Sequence, residues 1–168
     1  MAITNHERVG KALDLLKAGL APFVERELKA RHGDGWALQV REMLADTRLG
    51  DGKGDALQDV VVVLVVMDRS WGNVFRRILG KAERSLVNEL IDVRNRWAHQ
   101  EPFSGDDADR ALDSAERLLT AVSASQADDV RKVKMELRRT IFDEQVRSDR
   151  RRSAGTAIES AAASTLKP

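Results

Sequence analysis

Val60-Val61-Val62-Val63-Leu64-Val65-Val66-Met67 is the longest apolar run in the chain, and whether it is a strand or a helix decides the fold class. Its six valines favour a buried strand by intrinsic preference, and an unbroken apolar run carries no periodicity of its own. The flanks arbitrate instead: Leu57, Leu64, Met67, Trp71, Phe75 and Ile78 keep near-helical spacing through and beyond the run. No other segment offers a strand to pair with it, and a lone strand would leave its backbone donors and acceptors unsatisfied. The spacing therefore predicts a buried central helix from 56 to about 69, followed by a shorter helix from Trp71 to Leu79. The run is far too short to cross a bilayer.

Downstream, Lys81 to about His99 is expected as one long helix with three stripes. Leu86, Leu90, Val93 and Trp97 make one apolar row, and Val87, Ile91, Arg94 and Ala98 make a second, interrupted only by the arginine. Asn88, Asp92, Asn95 and His99 make a polar row, so Asn95 and His99 share a face one turn apart while Arg94 reaches in from the apolar side. Pro102 stops the helix near the histidine. Ser104-Gly105-Asp106-Asp107 is a cap signature, opening an amphipathic helix through Ala108, Ala111, Leu112, Ala115, Leu118, Leu119 and Val122. A further helix from about Ala127 buries Val130, Val133, Leu137 and Ile141, and its outer surface carries Arg131, Lys132, Lys134, Arg138 and Arg139.

Upstream, Thr4-Asn5-His6-Glu7 fits a capping box at the start of a helix whose apolar face is Val9, Leu13, Leu16 and Leu20. Pro22 is expected to break or restart it, with Phe23, Val24 and Leu28 carrying the face onward to Gly33 and Gly35. Trp36, Val40, Met43 and Leu44 form a second short helix. Gly50-Asp51-Gly52-Lys53-Gly54-Asp55 invites a phosphate-loop reading, but the glycine spacing is wrong, no hydroxyl follows the lysine, and the apolar run comes after the loop. It reads as a flexible surface loop. His6 and His32 read as surface residues.

The expected architecture is all-α, a compact helical bundle over 1–150 followed by a flexible Ala/Ser/Thr-rich tail or linker at 151–168. The chain has 168 residues, enough for a real core. Charged residues make up 33% yet cancel to +1, so bulk charge points to no nucleic-acid partner. There is no cysteine, which removes thiol chemistry and fits a reducing cytoplasm. The polar start speaks against a signal peptide. No cluster suggests a metal or a cofactor, and no membrane association is expected.

The pair Arg94-Asn95 with a helix-ending His99 resembles the HEPN superfamily (higher eukaryotes and prokaryotes nucleotide-binding), whose signature is Arg-x(4–6)-His with a polar residue after the arginine. More narrowly the chain looks like the Swt-type HEPN domains, through Leu20-Ala21-Pro22-Phe23-Val24, through Asp68, Trp71 and Phe75, and through Phe103-Ser104. Arg26 to His32 also fits the bare motif, but has Glu27 where the asparagine belongs.

The resemblance implies a four-helix core with extra short helices, a homodimer bringing two motifs together, and metal-independent cleavage of RNA. The 2′-hydroxyl of RNA supplies the nucleophile, so His99 is implied in acid–base catalysis, histidine being the side chain that titrates nearest neutral pH. Arg94 is implied in donating to phosphate oxygens and Asn95 in orienting His99 or the phosphate, with a 2′,3′-cyclic phosphate as product. Arg96 and the basic surface with Arg131, Lys134 and Arg138 are implied in tracking RNA. Toxin or anti-phage settings, and an inhibitory or ATPase partner domain, belong to the same implication.

Structural alternatives stand beside these roles. Arg94 can pair with Asp68 or Asp92, His99 can cap its helix, and the basic run can be a solvated face. Trp71, Phe75 and Trp97 read as core. A non-catalytic HEPN domain that binds RNA or nucleotide, or dimerises, is the alternative function.

Overall fold

The computed structural model of the chain describes residues 3–51 and 55–165, so 52–54 of the expected surface loop and 166–168 of the expected tail lie outside the described residues. Among the described residues six α-helices follow one another: α1 (Asn5–His32), α2 (Trp36–Met43), α3 (Val60–Arg69), α4 (Lys81–Ala98), α5 (Gly105–Ala121) and α6 (Gln126–Thr165). There is no strand among the described residues, and the all-α bundle is as expected. The chain divides into two units, one ending at Lys134 and the other beginning at Met135.

In the first unit α1, α3, α4 and α5 form a ring. α1 packs on α5 and α3, α4 packs on the same two helices, and α1 and α4 touch more sparsely across the middle. α2 leans on α1 and α3. α3 is the central element: Val63, Leu64, Val66 and Met67 are fully enclosed, and Val60, Val61 and Val62 nearly so. A β-branched residue costs up to about 0.7 kcal/mol in a helix, whereas burying a valine side chain contributes about 1.5–3 kcal/mol. Burial wins at every valine of the run but the half-buried Val65, so a valine run enclosed on most sides folds as a helix.

The start of α3 differs from expectation. It begins at Val60, because Asp59 is the N-cap and its Oδ1 accepts from the Val61 amide at 2.9 Å. The second half of the expected pair is not an α-helix either. After α3 ends at Arg69, Ser70, Trp71, Gly72 and Asn73 pass through turns, and only Phe75–Arg77 makes a short 3-10 segment. Ser, Gly and Asn favour turns over helix continuation. The aromatic spacing still places Trp71 and Phe75 in ring contact, 6.3 Å apart.

Pro22 does not break α1, which runs unbroken past it. Pro22 and Ala18, whose carbonyl loses its amide donor, both lie on the exposed side, so that carbonyl is not orphaned in the core. Thr4 caps α1 by accepting from Glu7 N, and Gly33, at φ 65°, ends it.

Between α4 and α5, Ser104 and Asp107 make the expected reciprocal cap. The opening of α6 fixes itself to α5 through Lys134, whose Nζ lies 2.8 Å from Glu116 and 3.2 Å from Asp113. In the second unit α6 continues to Thr165, so the stretch from 151 expected to be flexible is helical, in keeping with alanine's high helix propensity. Its side chains from Arg147 to Ala162 are all exposed. Among the described residues no helix is long and apolar enough to cross a membrane.

Candidate functional site

The last turns of α4 carry the motif, and three separate anchors hold them. The first is the N-terminus of α1. The His6 ring stacks on the Trp97 indole with centroids 5.1 Å apart and planes 11° from parallel. His6 Nε2 donates to the Trp97 carbonyl at 3.1 Å and Trp97 Nε1 donates to the His6 carbonyl at 3.1 Å. Gly10 lets the indole approach: a Cβ there would stand 2.9 Å from Trp97 Nε1. His6 is thus half-buried in a structural contact and not the surface residue expected. His32, at the far end of α1, is half-buried as well.

Arg96 is the second anchor. It donates to the Pro102 carbonyl at 2.9 Å, pairs with Glu101 and Asp107 at 3.4 Å, and lies over the Phe103 ring at 4.6 Å. Its guanidinium is therefore committed to the segment joining α4 to α5. Asp107, held by the Ser104 amide and hydroxyl and then by Arg96, has its carboxyl below the usual value.

The third anchor is the helix end itself. His99 is the C-cap of α4, and its amide donates to Asn95 O. Gln100 N donates to Trp97 O and Glu101 N to Arg96 O, the two bonds of a Schellman motif. That motif needs a left-handed residue after the cap, and Gln100 fills it at φ 56°, where glycine is the usual occupant.

These anchors fix the direction of each motif side chain. Asn88, Asp92, Asn95 and His99 are all exposed along one line, as the stripe reading expects. The Asn95 and His99 side chains make no hydrogen bond to another described residue. Arg94 points elsewhere: at 3.6 residues per turn it lies roughly 140° round the helix from His99. Its partner is Asp59, with Nη2 3.2 Å from Oδ2, and not Asp68 or Asp92. Asp68 is taken by Arg84 and Asn88.

Beside the Arg94–Asp59 pair lies a pocket of about 170 Å³, lined by Asp14 and Lys17 of α1, Gln58, Asp59, Arg94 and Trp97, among others. Asp59 and Lys17 were not singled out from sequence. An aspartate immediately before an apolar run is a helix-start signal that does find Asp59. Nothing local marks Lys17, which reaches the pocket only because α1 packs on α3 and touches α4.

The other cations implied in RNA contact are differently placed. Lys134 is 7% exposed and turned inward to Asp113 and Glu116, so it is not part of an outer face. Arg131 is exposed and 3.5 Å from Glu116. Arg138 is exposed in the second unit. Among the described residues no three His, Asp or Glu side chains are grouped as a metal site would need.

A family model described as Swt1-like HEPN matches residues 11–123, from the second turn of α1 to just past α5. No curated protein and no solved structure matches the chain. The matched span contains α3, the whole of α4 with Arg94, Asn95 and His99, and all of α5. Matched over more than half its length, across the four-helix ring and its motif, the chain belongs to the Swt1-like HEPN family.

Proposed function

We propose that this domain is a metal-independent endoribonuclease that works as a homodimer. The observation that supports this best is the disposition of the motif. His99 and Asn95 stand exposed at the end of α4, with no side-chain hydrogen bond among the described residues, while Arg94 is aimed to another side of the same helix. One chain offers an incomplete set of groups to any one phosphate, and two α4 ends facing each other complete it.

The chemistry follows from RNA itself. His99 takes the proton from a 2′-hydroxyl, whose oxygen attacks the adjacent phosphorus. The P–O5′ bond breaks, the leaving oxygen takes a proton, and a 2′,3′-cyclic phosphate remains. Arg94 donates to the non-bridging oxygens as charge grows on them. Asn95 orients the histidine or the phosphate. Action as a toxin-like or anti-phage effector in the cytoplasm, or as part of a larger ATPase-linked protein, belongs to the same proposal. A non-catalytic domain that binds RNA or nucleotide, or dimerises, is the second reading, favoured by the carboxylate that occupies Arg94.

The test is incubation of the purified protein with RNA in excess chelator, beside Arg94→Ala and His99→Ala variants, with end-group analysis and solution mass. Cleavage to cyclic phosphate ends by a dimer, lost in both variants, is the expected outcome. RNA binding without cleavage selects the second reading. A strict monomer that neither cleaves nor binds RNA removes the first reading and leaves of the second only nucleotide binding.

A further inference from the structure

The Arg94–Asp59 pair is built so that its two halves can separate. Asp59 uses its oxygens for different tasks: Oδ1 caps α3 through the Val61 amide at 2.9 Å, and Oδ2 receives Arg94 at 3.2 Å. The cap fixes the carboxylate in place, whereas the arginine is on a long, rotatable stem. The side chains are 48% and 25% exposed, so an anion in solution can reach the contact.

The adjoining pocket has room for roughly five or six waters. Lys17 lines it and makes no ion pair with another described residue, and Gln58 adds an amide. Asp14 and Asp59 balance Lys17 and Arg94, so the four charges cancel. A carboxylate and a phosphate present the same kind of oxygen to a guanidinium.

Resting on the ribonuclease reading above, we propose that this pocket is an RNA phosphate subsite, with Asp59 as the resident competitor at Arg94 and Lys17 as the second phosphate-binding cation. At rest the two carboxylates keep the pocket neutral and the affinity low. When a backbone phosphate enters, Arg94 exchanges Asp59 Oδ2 for a phosphate oxygen and Lys17 closes on the other side. Asp59 is in this sense a positioning residue: it holds Arg94 at the pocket without touching RNA.

Asp59→Asn separates its two tasks, since asparagine caps a helix about as well as aspartate but carries no charge. Binding is measured by titrating a labelled 2′-O-methyl RNA oligonucleotide, which cannot be cleaved, at several salt concentrations. Asp59→Asn is expected to bind roughly two- to five-fold tighter at low salt, from the strength of exposed charge pairs. Lys17→Gln alone should flatten the slope of log affinity against log salt by about 0.7, one phosphate contact fewer on a single strand. Adding Lys17→Gln to Asp59→Asn should remove most of the gain.

Unchanged or weaker binding by a folded Asp59→Asn protein overturns the proposal. Should that variant not fold, Lys17→Gln alone decides: a loss of roughly two- to five-fold supports the subsite, and none overturns it. The probe is uncleavable, so a protein that never cuts RNA can still show this response. Conversely, a protein that cuts RNA yet shows no response loses this inference and keeps the ribonuclease reading.

Discussion

His6 and Trp97 hold each other twice over: their rings stack 5.1 Å apart, and each ring nitrogen donates to the other residue's backbone carbonyl. The contact joins the first turn of α1 to the last turn of α4, so the motif helix ends at a fixed place. It also requires Gly10, where an added Cβ would meet the indole nitrogen at 2.9 Å. Alanine gains about 1 kcal/mol of helix propensity over glycine, while overpacking costs about 1–3 kcal/mol. The indole is held on both sides and cannot yield cheaply. Gly10→Ala is therefore expected to lower the thermal midpoint, with Gly155→Ala, where nothing lies within 4 Å, as the control that does not.

Gln100 occupies a left-handed conformation at φ 56° just after His99. An L-residue there costs about 1–2 kcal/mol relative to glycine, part of which glycine gives back through its freer unfolded chain. Gln100→Gly should raise unfolding stability by about 0.5–1 kcal/mol in a denaturant titration. A loss of stability would mean that the glutamine side chain makes a contact that matters.

Lys134 and Glu116 form a buried pair, 7% and 9% exposed, with Nζ 2.8 Å from Oε1. That oxygen has no aligned hydrogen-bond donor among the described residues, so the ammonium is its compensation. Removing one partner of such a pair strands the other charge. Lys134→Ala is expected to cost about 2–4 kcal/mol, measured by denaturant unfolding. The double change Lys134→Met with Glu116→Leu should recover most of it, because it leaves no buried charge unpaired: Asp113 keeps Arg117 and Arg131 is exposed.

Asp107 supplies a pH dependence. Its carboxyl is held below the ordinary 3.8 by the Ser104 amide and hydroxyl, and by Arg96. A carboxylate with a lowered folded value contributes stability that is complete above the unfolded value and lost as pH falls through the folded one. The native protein should thus lose this contribution below about pH 4. Asp107→Asn should be less stable at neutral pH and flatter in that acid window, the two curves converging at the low end. Parallel curves from thermal melts over pH 2–7 would show that Asp107 contributes no charge-dependent stability.

Much of this was legible from the chain alone, for reasons that can be named. The valine run was readable as a helix because its flanks keep helical spacing and no strand partner exists. The end of α4 and the start of α5 were readable because Pro102, Ser104 and Asp107 are local signals acting within a few residues. The polar line from Asn88 to His99 followed from helix geometry. The segment after Trp71 is an exception: its apolar spacing favours a helix, but the turn preference of Gly72 and Asn73 decides once the preceding helix has ended. Pro22 is the opposite case: its ring signals a break, and only packing reveals that the carbonyl it orphans, that of Ala18, lies on the exposed side.

The sequence by itself determined an all-α chain, the placement of Arg94, Asn95 and His99 at one helix end, and the faces of that helix they occupy. These depend on spacing along the chain, which periodicity and caps fix locally. Tertiary structure alone decided their partners. That Arg94 meets Asp59, that Trp97 is clamped by His6, that Lys134 turns inward and that Lys17 comes to the motif are contacts between residues 18 to 91 positions apart or brought together by helices packing in a ring. No local rule carries that information, because which charges meet depends on how the four helices bury their apolar faces against one another.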